Sequence, residues 1–196
     1  MTSASPWTEA PALAADGLHL PAAACKALCE ALPRADGLDA ALGIVDGVRR
    51  DLVGPGLLTV NLRCDAGPVP AGGTLELQRI WTSDPQAYPV AGRKRKTLTP
   101  WTRQLLLDAQ VFVGEGPARL AEVFEDHALI DALGLQAIVN LPVLDADGRC
   151  FATFTARGMR PVWRPDDILL LRLLALLATP AVARAAGAMR AAGAAA

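Results

Sequence analysis

GLQAIVNLPVLDADGRCFATFTARG, residues 134–158, holds two runs of strand-forming residues joined by turn chemistry, and no other stretch forms a complete two-stranded unit by its own pattern. Gln136 to Leu144 is apolar and rich in β-branched side chains. Asp145-Ala146-Asp147-Gly148 supplies a turn whose glycine is free to take positive φ, and Cys150 to Ala156 alternates again. The spacing predicts an antiparallel hairpin. Pro142 removes one ladder donor, which predicts an edge position or a bulge partway along the first strand. Asn140, polar between Val139 and Leu141, is either satisfied by a neighbouring strand or turned toward a ligand.

Upstream, Pro21 to Leu32 has the composition of a helix stopped by Pro33. A second helix runs from Gly37 or Leu38 to Leu52, with Leu38, Leu42, Val45, Val48 and Leu52 at helical spacing, Asp36 as N-cap and Gly54-Pro55-Gly56 as terminator. Leu57 to Cys64 is a strand, Asp65 to Gly73 a turn, and Thr74 to Trp81 a second strand. Strict alternation puts Leu75, Leu77, Arg79 and Trp81 on one side of it. If that side faces inward, Arg79 must meet a carboxylate, backbone carbonyls or a ligand anion, because an unpaired buried guanidinium is costly.

Thr82 to Thr99 is the longest irregular stretch, with four successive cations at Arg93 to Lys96; loops of that length are usually functional or disordered. Thr99-Pro100-Trp101 opens a short helix to Ala109, Val111 to Gly114 is a short strand, and Arg119–Phe124 and Ala128–Leu133 are short helices that meet at Glu125-Asp126-His127. Gly134 caps the second of these before the hairpin. After the hairpin, Arg164-Pro165-Asp166-Asp167 starts a long helix with an apolar stripe at Ile168, Leu171, Leu174, Ala178, Ala181 and Val182. Leu169, Leu170, Leu173 and Leu176 widen that stripe, which predicts a second partner, commonly a symmetry mate. Pro180 predicts a kink.

The 196 residues suffice for one well-buried core. The expected division is an N-terminal arm over 1–20, one domain over 21–184 and an alanine-rich tail over 185–196. A formal net charge of −1 provides no field for nucleic acid or an anionic membrane, so neither is an expected partner. The apolar run Ile168 to Ala178 is interrupted by Arg172 and is too short to span a bilayer. The first residues lack a basic leader followed by an apolar block, and a cytoplasmic location is expected. Cys25, Cys29, Cys64 and Cys150 are then expected as free, buried or half-buried thiols. No metal is expected, since His127 with Asp126 and a distant Cys has no ligand spacing, and no cofactor is expected.

The order helix, two strands, long loop with short helices, hairpin and terminal helix resembles the GAF domain over roughly 38–183. The carrying residues are the opening helix and strand DGLDAALGIVDGVRRDLVGPGLLTV, the hairpin Gly134–Val143 with Asp147-Gly148-Arg149, and Arg164–Asp167 before the leucine-rich helix. The resemblance implies an α+β fold with a central antiparallel sheet, helices on one face and a loop-covered ligand pocket on the other. It also implies small-molecule sensing and a homodimer through the terminal helices. There is no recognisable cyclic-nucleotide signature, and no cysteine next to a histidine for tetrapyrrole attachment.

On that architecture Arg79, Trp81, Tyr88, Arg93, Lys94, Lys96, Trp101, His127 and Asn140 are the candidate ligand-binding residues, with Asp126 beside them. Cations and aromatic walls suit a small organic anion such as an aromatic or 2-oxo carboxylate. The competing reading of Arg93 to Lys96 is a solvated loop. Asp126, His127 and Cys150 are the weaker catalytic candidates: the pair for proton transfer, against a reading in which His127 only caps a helix, and Cys150 with Cys64 for thiol redox chemistry like that of the GAF-fold methionine sulfoxide reductases. The chain is expected to bind rather than catalyse, and a plain dimerisation module is the third alternative.

Overall fold

A computed structural model describes residues 18–64 and 73–194. The expected arm lies outside these residues except for 18–20, as does nearly all of the turn at 65–73. The elements are α1 (Ala22–Lys26), continued by a π turn and a 3₁₀ turn to Arg34, α2 (Gly37–Val53), β1 (Gly56–Arg63), β2 (Thr74–Thr82), β3 (Arg93–Thr97), α3 (Pro100–Thr102), extended by a π turn to Leu107, β4 (Phe112–Glu115), α4 (Pro117–Val123), α5 (His127–Ala132), β5 (Ala137–Leu144), β6 (Cys150–Gly158) and α6 (Pro165–Ala194). The strands form one antiparallel six-stranded sheet among the described residues, in the order β3-β2-β1-β6-β5-β4.

The hairpin β5–β6 sits inside this sheet. Only Ala137 to Asn140 of β5 pair with β4, so Pro142 lies where β5 is locally an edge, and a bulge follows between Val143 and Leu144. Both expectations for this proline are met because a residue without an N–H fits only where no second strand asks for one.

One face of the sheet carries Leu58, Val60, Val139, Leu141, Ala152 and Phe154 against α1, α2 and α6. Phe154, with no exposed surface, is the largest fully buried side chain that the hairpin gives to this layer, and half-buried Phe151 packs beside it. α2 forms as expected from its apolar spacing, and its Gly54 cap takes φ 107, which a side chain rarely tolerates. α6 starts at the expected place because buried Asp167 accepts the Arg164 backbone N–H at 3.1 Å and pairs with Arg164 and Arg160 at 2.8 and 2.7 Å. It runs through Pro180 to Ala194, so the alanine-rich tail continues the helix up to that residue. By length and composition α6 is apolar enough to cross a membrane, contrary to the sequence expectation, yet Leu170, Leu171, Leu174 and Val182 are buried in the layer described above. Leu176, on the widened side of the stripe, is 68% exposed.

Two further expectations fail. The stretch 82–99 is not all loop, because Arg93–Thr97 is strand β3, in register with Thr74–Gln78 of β2. And Trp81 does not share a side with Arg79. Val60 pairs with Trp81 but Asn61 with Arg79, so Ile80 is an extra residue, and this bulge turns Ile80 and Trp81 together toward the helices. The Trp81 Nε1–H donates to Asp39 Oδ1 of α2 at 2.9 Å, which satisfies it.

Candidate functional site

The other face of the sheet is apolar only at its two ends. Leu105 and Leu106 of the turn that extends α3 pack on Leu75, Leu77 and Cys150, and Leu120 and Phe124 of α4 and its C-cap pack with Leu57, Phe112 and Ile138. Between these clusters runs a polar stripe across four strands: Arg79 on β2, Thr59 and Asn61 on β1, Thr153, Thr155 and Arg157 on β6, and Asn140 on β5. The register makes them neighbours, since Asn61 faces both Arg79 and Thr153, and Thr155 faces both Thr59 and Asn140. The Thr155 hydroxyl donates to Asn140 Oδ1 at 2.7 Å, Asn61 Nδ2–H to Thr153 Oγ1 at 3.2 Å, and Arg157 Nη1–H to Thr59 Oγ1 at 3.2 Å.

Above the stripe is a cavity of about 50 Å³. Its wall carries four cationic side chains, Arg79, Lys94, Lys96 and Arg157, and one carboxylate, Asp126. β3 supplies the two lysines by alternation: Lys94 and Lys96 point inward while Arg93 and Arg95 stay outside. Lys94 Nζ lies 3.4 Å from Asp126 and Lys96 Nζ 3.3 Å from Glu125, so the edge strand is tied to the segment between α4 and α5.

Tyr88 reaches the site through a local turn. Asp84 Oδ1 accepts the backbone N–H groups of Gln86 and Ala87 at 3.1 and 3.0 Å, and this reverses the chain so that Tyr88 returns beneath the sheet. Its ring is then 4.9 Å from the Arg79 guanidinium and 4.5 Å from that of Arg157. Trp101 closes the opposite wall edge-on to Phe124, with centroids 5.5 Å apart, and Lys96 lies 5.8 Å from its ring.

Donors here outnumber the acceptors that reach them: Asp126 is taken by Lys94, and the buried Tyr88 hydroxyl, like the donors beside it, has no hydrogen-bond partner among the described residues. Arg79 and Arg157 are 8% and 6% exposed, and each guanidinium makes one hydrogen bond by its Nη1, Arg79 to the Pro89 carbonyl at 3.1 Å. The Nε of each is buried without a partner among the described residues, and so are Asn140 Nδ2 and Trp101 Nε1. All four are N–H donors on residues of the cavity wall. Buried Arg49, on α2, shows what a structural arginine looks like in this molecule: its Nε meets Asp46 at 2.7 Å and its two Nη atoms meet the Gly54 and Gly56 carbonyls at 3.0 and 3.3 Å.

Electrostatics follow from this crowding. Burial pulls Arg157 below the usual guanidinium range and does the same to Arg79, which Arg157 depresses further. Burial pushes the Tyr88 phenol up. Burial also acts to raise Asp126, but Lys94, Arg157, its own backbone N–H and the Tyr88 hydroxyl together outweigh it and hold the carboxyl below its ordinary value.

Of the candidates from sequence, the structure brings Arg79, Lys94, Lys96, Trp101, Asp126 and Asn140 to one cavity, with Tyr88 stacked behind the arginines. It does not bring Trp81, turned away by the bulge, or Arg93, which is exposed and paired with Glu76 at 2.9 Å. His127 is also outside, exposed, with Nδ1 3.1 Å from the Phe124 carbonyl, the packing alternative to proton transfer. Arg157, Asn61, Thr153 and Thr155 escaped the sequence reading, although the alternation Thr153, Thr155, Arg157 carried one residue past Ala156 gives the signal.

Two of the four thiols depart from the expectation of burial or half-burial, and two meet it. Cys29 and Cys64 are exposed, and Cys25 is half-buried. Cys150 is buried against the turn that extends α3, where burial pushes its thiol up to about 11. At pH 8 a disulfide-forming thiol reagent is expected to label Cys29 and Cys64 in the native protein and Cys150 only after unfolding. Rapid native labelling of Cys150, read by peptide mass spectrometry, would restore the thiol redox reading.

No protein-family model matches the sequence, and no curated protein matches it. Solved structures do. The GAF domain of a phosphoenolpyruvate-protein phosphotransferase from Coxiella burnetii superposes over 88% of this chain and 95% of its own, with a TM-score of 0.62 and 14% identity. The fold is that of a GAF domain. The chromophore-binding domain of an unusual bacteriophytochrome from R. palustris matches 84% of this chain with a TM-score of 0.57 and 13% identity, and this chain spans 61% of it. A far-red absorbing protein with bound biliverdin matches 83% of this chain and 98% of its own, with a TM-score of 0.57 and 12% identity. At these identities the likeness is one of fold. Within the GAF fold the cavity lies on the sheet face away from the terminal helices, beneath β3 and the α4–α5 segment.

Proposed function

We propose that this protein is a sensory GAF-type domain that binds a small organic anion, of the 2-oxo carboxylate kind, in the cavity over the polar stripe. The observation that carries this reading is the set of four buried N–H donors that, among the described residues, have no acceptor and belong to side chains lining one cavity. A protein interior leaves donors unpaired at a cost of roughly 1–3 kcal/mol each, so their convergence calls for an acceptor-rich guest. Two guanidiniums that repel one another call for a negative one.

Volume narrows the class. A water occupies roughly 10–15 Å³ on this measure and drug-sized ligands roughly 300–1,000 Å³, so about 50 Å³ admits a carboxylate with a short stem. A tetrapyrrole such as the biliverdin of the far-red absorbing neighbour does not fit, and no cysteine lines the cavity to tether one. An aromatic carboxylate requires β3 or the α4–α5 segment to move.

The sensory role draws support from fold neighbours such as the chromophore-binding domain of the bacteriophytochrome. The test is calorimetric titration and thermal shift with acetate, pyruvate, 2-oxoglutarate and phenylpyruvate. A short acid at 100 times its dissociation constant is expected to add about 2.7 kcal/mol of stability. Flat titrations with all four acids would overturn the proposal.

A further inference from the structure

The carboxylate in the cavity wall stands out because its place in the chain suggests a different task. Asp126 is the N-cap residue of α5, where an aspartate ordinarily accepts a backbone N–H of the first turn. Here its side chain makes no capping bond. It is turned instead to the cavity, where it meets Lys94 Nζ at 3.4 Å. Among the described residues it is the one carboxylate in a wall that holds Arg79, Arg157, Lys94 and Lys96, the last tied to the exposed Glu125.

The two arginines nevertheless keep unpartnered Nε donors. Asp126 thus offsets their charge without filling their hydrogen-bonding positions. A ligand carboxylate that fills those positions brings a second negative charge into the same small volume, and two like charges a few ångströms apart in a poorly solvated site repel strongly.

We infer that Asp126 is a built-in counter-anion: it holds the cationic site when no ligand is bound, competes with the incoming carboxylate, and gives up Lys94 when the site fills. This deepens, and rests on, the anion-binding reading above. Its consequence is a link from site to surface. The Lys94–Asp126 pair joins β3 to the start of α5, so occupancy loosens that tie and frees Asp126 for the cap position its side chain leaves unused.

The test compares wild type with Asp126→Asn, using pyruvate and acetate as probes in calorimetry and a urea melt without added carboxylate. The amide variant is expected to be less stable when empty, having lost the counter-charge, and to bind pyruvate on the order of tenfold more tightly. A residue with a merely structural role lowers both quantities together. If Asp126→Asn fails to fold, Asp126→Ser supplies the same comparison while retaining a capping side chain for α5. Binding by the variant alone also supports the inference, as the limit of strong competition. Wild type that binds pyruvate with a variant that binds it equally or more weakly overturns the inference and leaves the anion site standing. Absence of binding to both folded proteins overturns both.

Discussion

Arg157→Met should abolish binding of short carboxylates and yet leave the empty protein as stable as before or more so, by about 1 kcal/mol. Arg157 is 6% exposed, shares its surroundings with a second cation at Arg79, and leaves its Nε without an acceptor. A methionine of similar length keeps the contact with the Tyr88 ring and removes the desolvated charge. Arg49→Met is the comparison, because that guanidinium is fully used and its removal leaves Asp46, itself 4% exposed, with only the surface Arg50 at 3.4 Å. There the expected loss is about 3 kcal/mol. Urea denaturation with calorimetry on both variants checks the pair of signs. An Arg157 variant that loses stability on the scale of the Arg49 one would mark Arg157 as structural and remove the main support for the site.

Gly56→Ala should lower stability by about 3 kcal/mol or more and disturb the site as well. Gly56 has φ +150, and a Cβ there would lie 2.0 Å from the Arg157 carbonyl oxygen, 3.1 Å from its carbon and 3.3 Å from Gly158 Cα. All three are backbone atoms of the paired strand, so no rotamer change relieves the overlap. β1 and β6 would have to separate at the point where the arginine joins the sheet. A circular-dichroism melt of Gly56→Ala measures the loss. An unchanged melting temperature would mean that the two strands are not this close.

The elements with strong local patterns were legible without coordinates. α2 has its Gly54 terminator and apolar spacing, although Asp36 at its start makes no side-chain capping bond, the hairpin has its turn, and α6 has Asp167 three residues after Arg164. What escaped depended on neighbours. Trp81 required knowing that Ile80 is an extra residue opposite Val60 and Asn61, which is a property of the pair of strands and not of either one. β3 escaped because Arg-Lys-Arg-Lys has little intrinsic strand preference, and it is β2 that makes it extended. The alternation that sorts its inward lysines from its outward arginines becomes visible only after that pairing is known. Arg157 lies one residue past Ala156, where the apolar alternation of the strand stops, and it is the neighbour that makes Arg79 part of a cluster rather than an isolated buried charge.

β3 is also the outermost strand of the sheet, and that position gives its composition another meaning. An open strand offers a row of unpaired backbone groups on which a further chain can assemble, the route by which many sheets aggregate. Four successive cations on this rim make it a poor template, because a second copy laid alongside would bring the same charges into register. The opposite rim, β4, is only four residues long and runs directly into α4. The run of charge that lends two lysines to the cavity wall therefore also protects the protein from its own kind, and the protection weakens as ionic strength rises and the Debye length falls below about 8 Å.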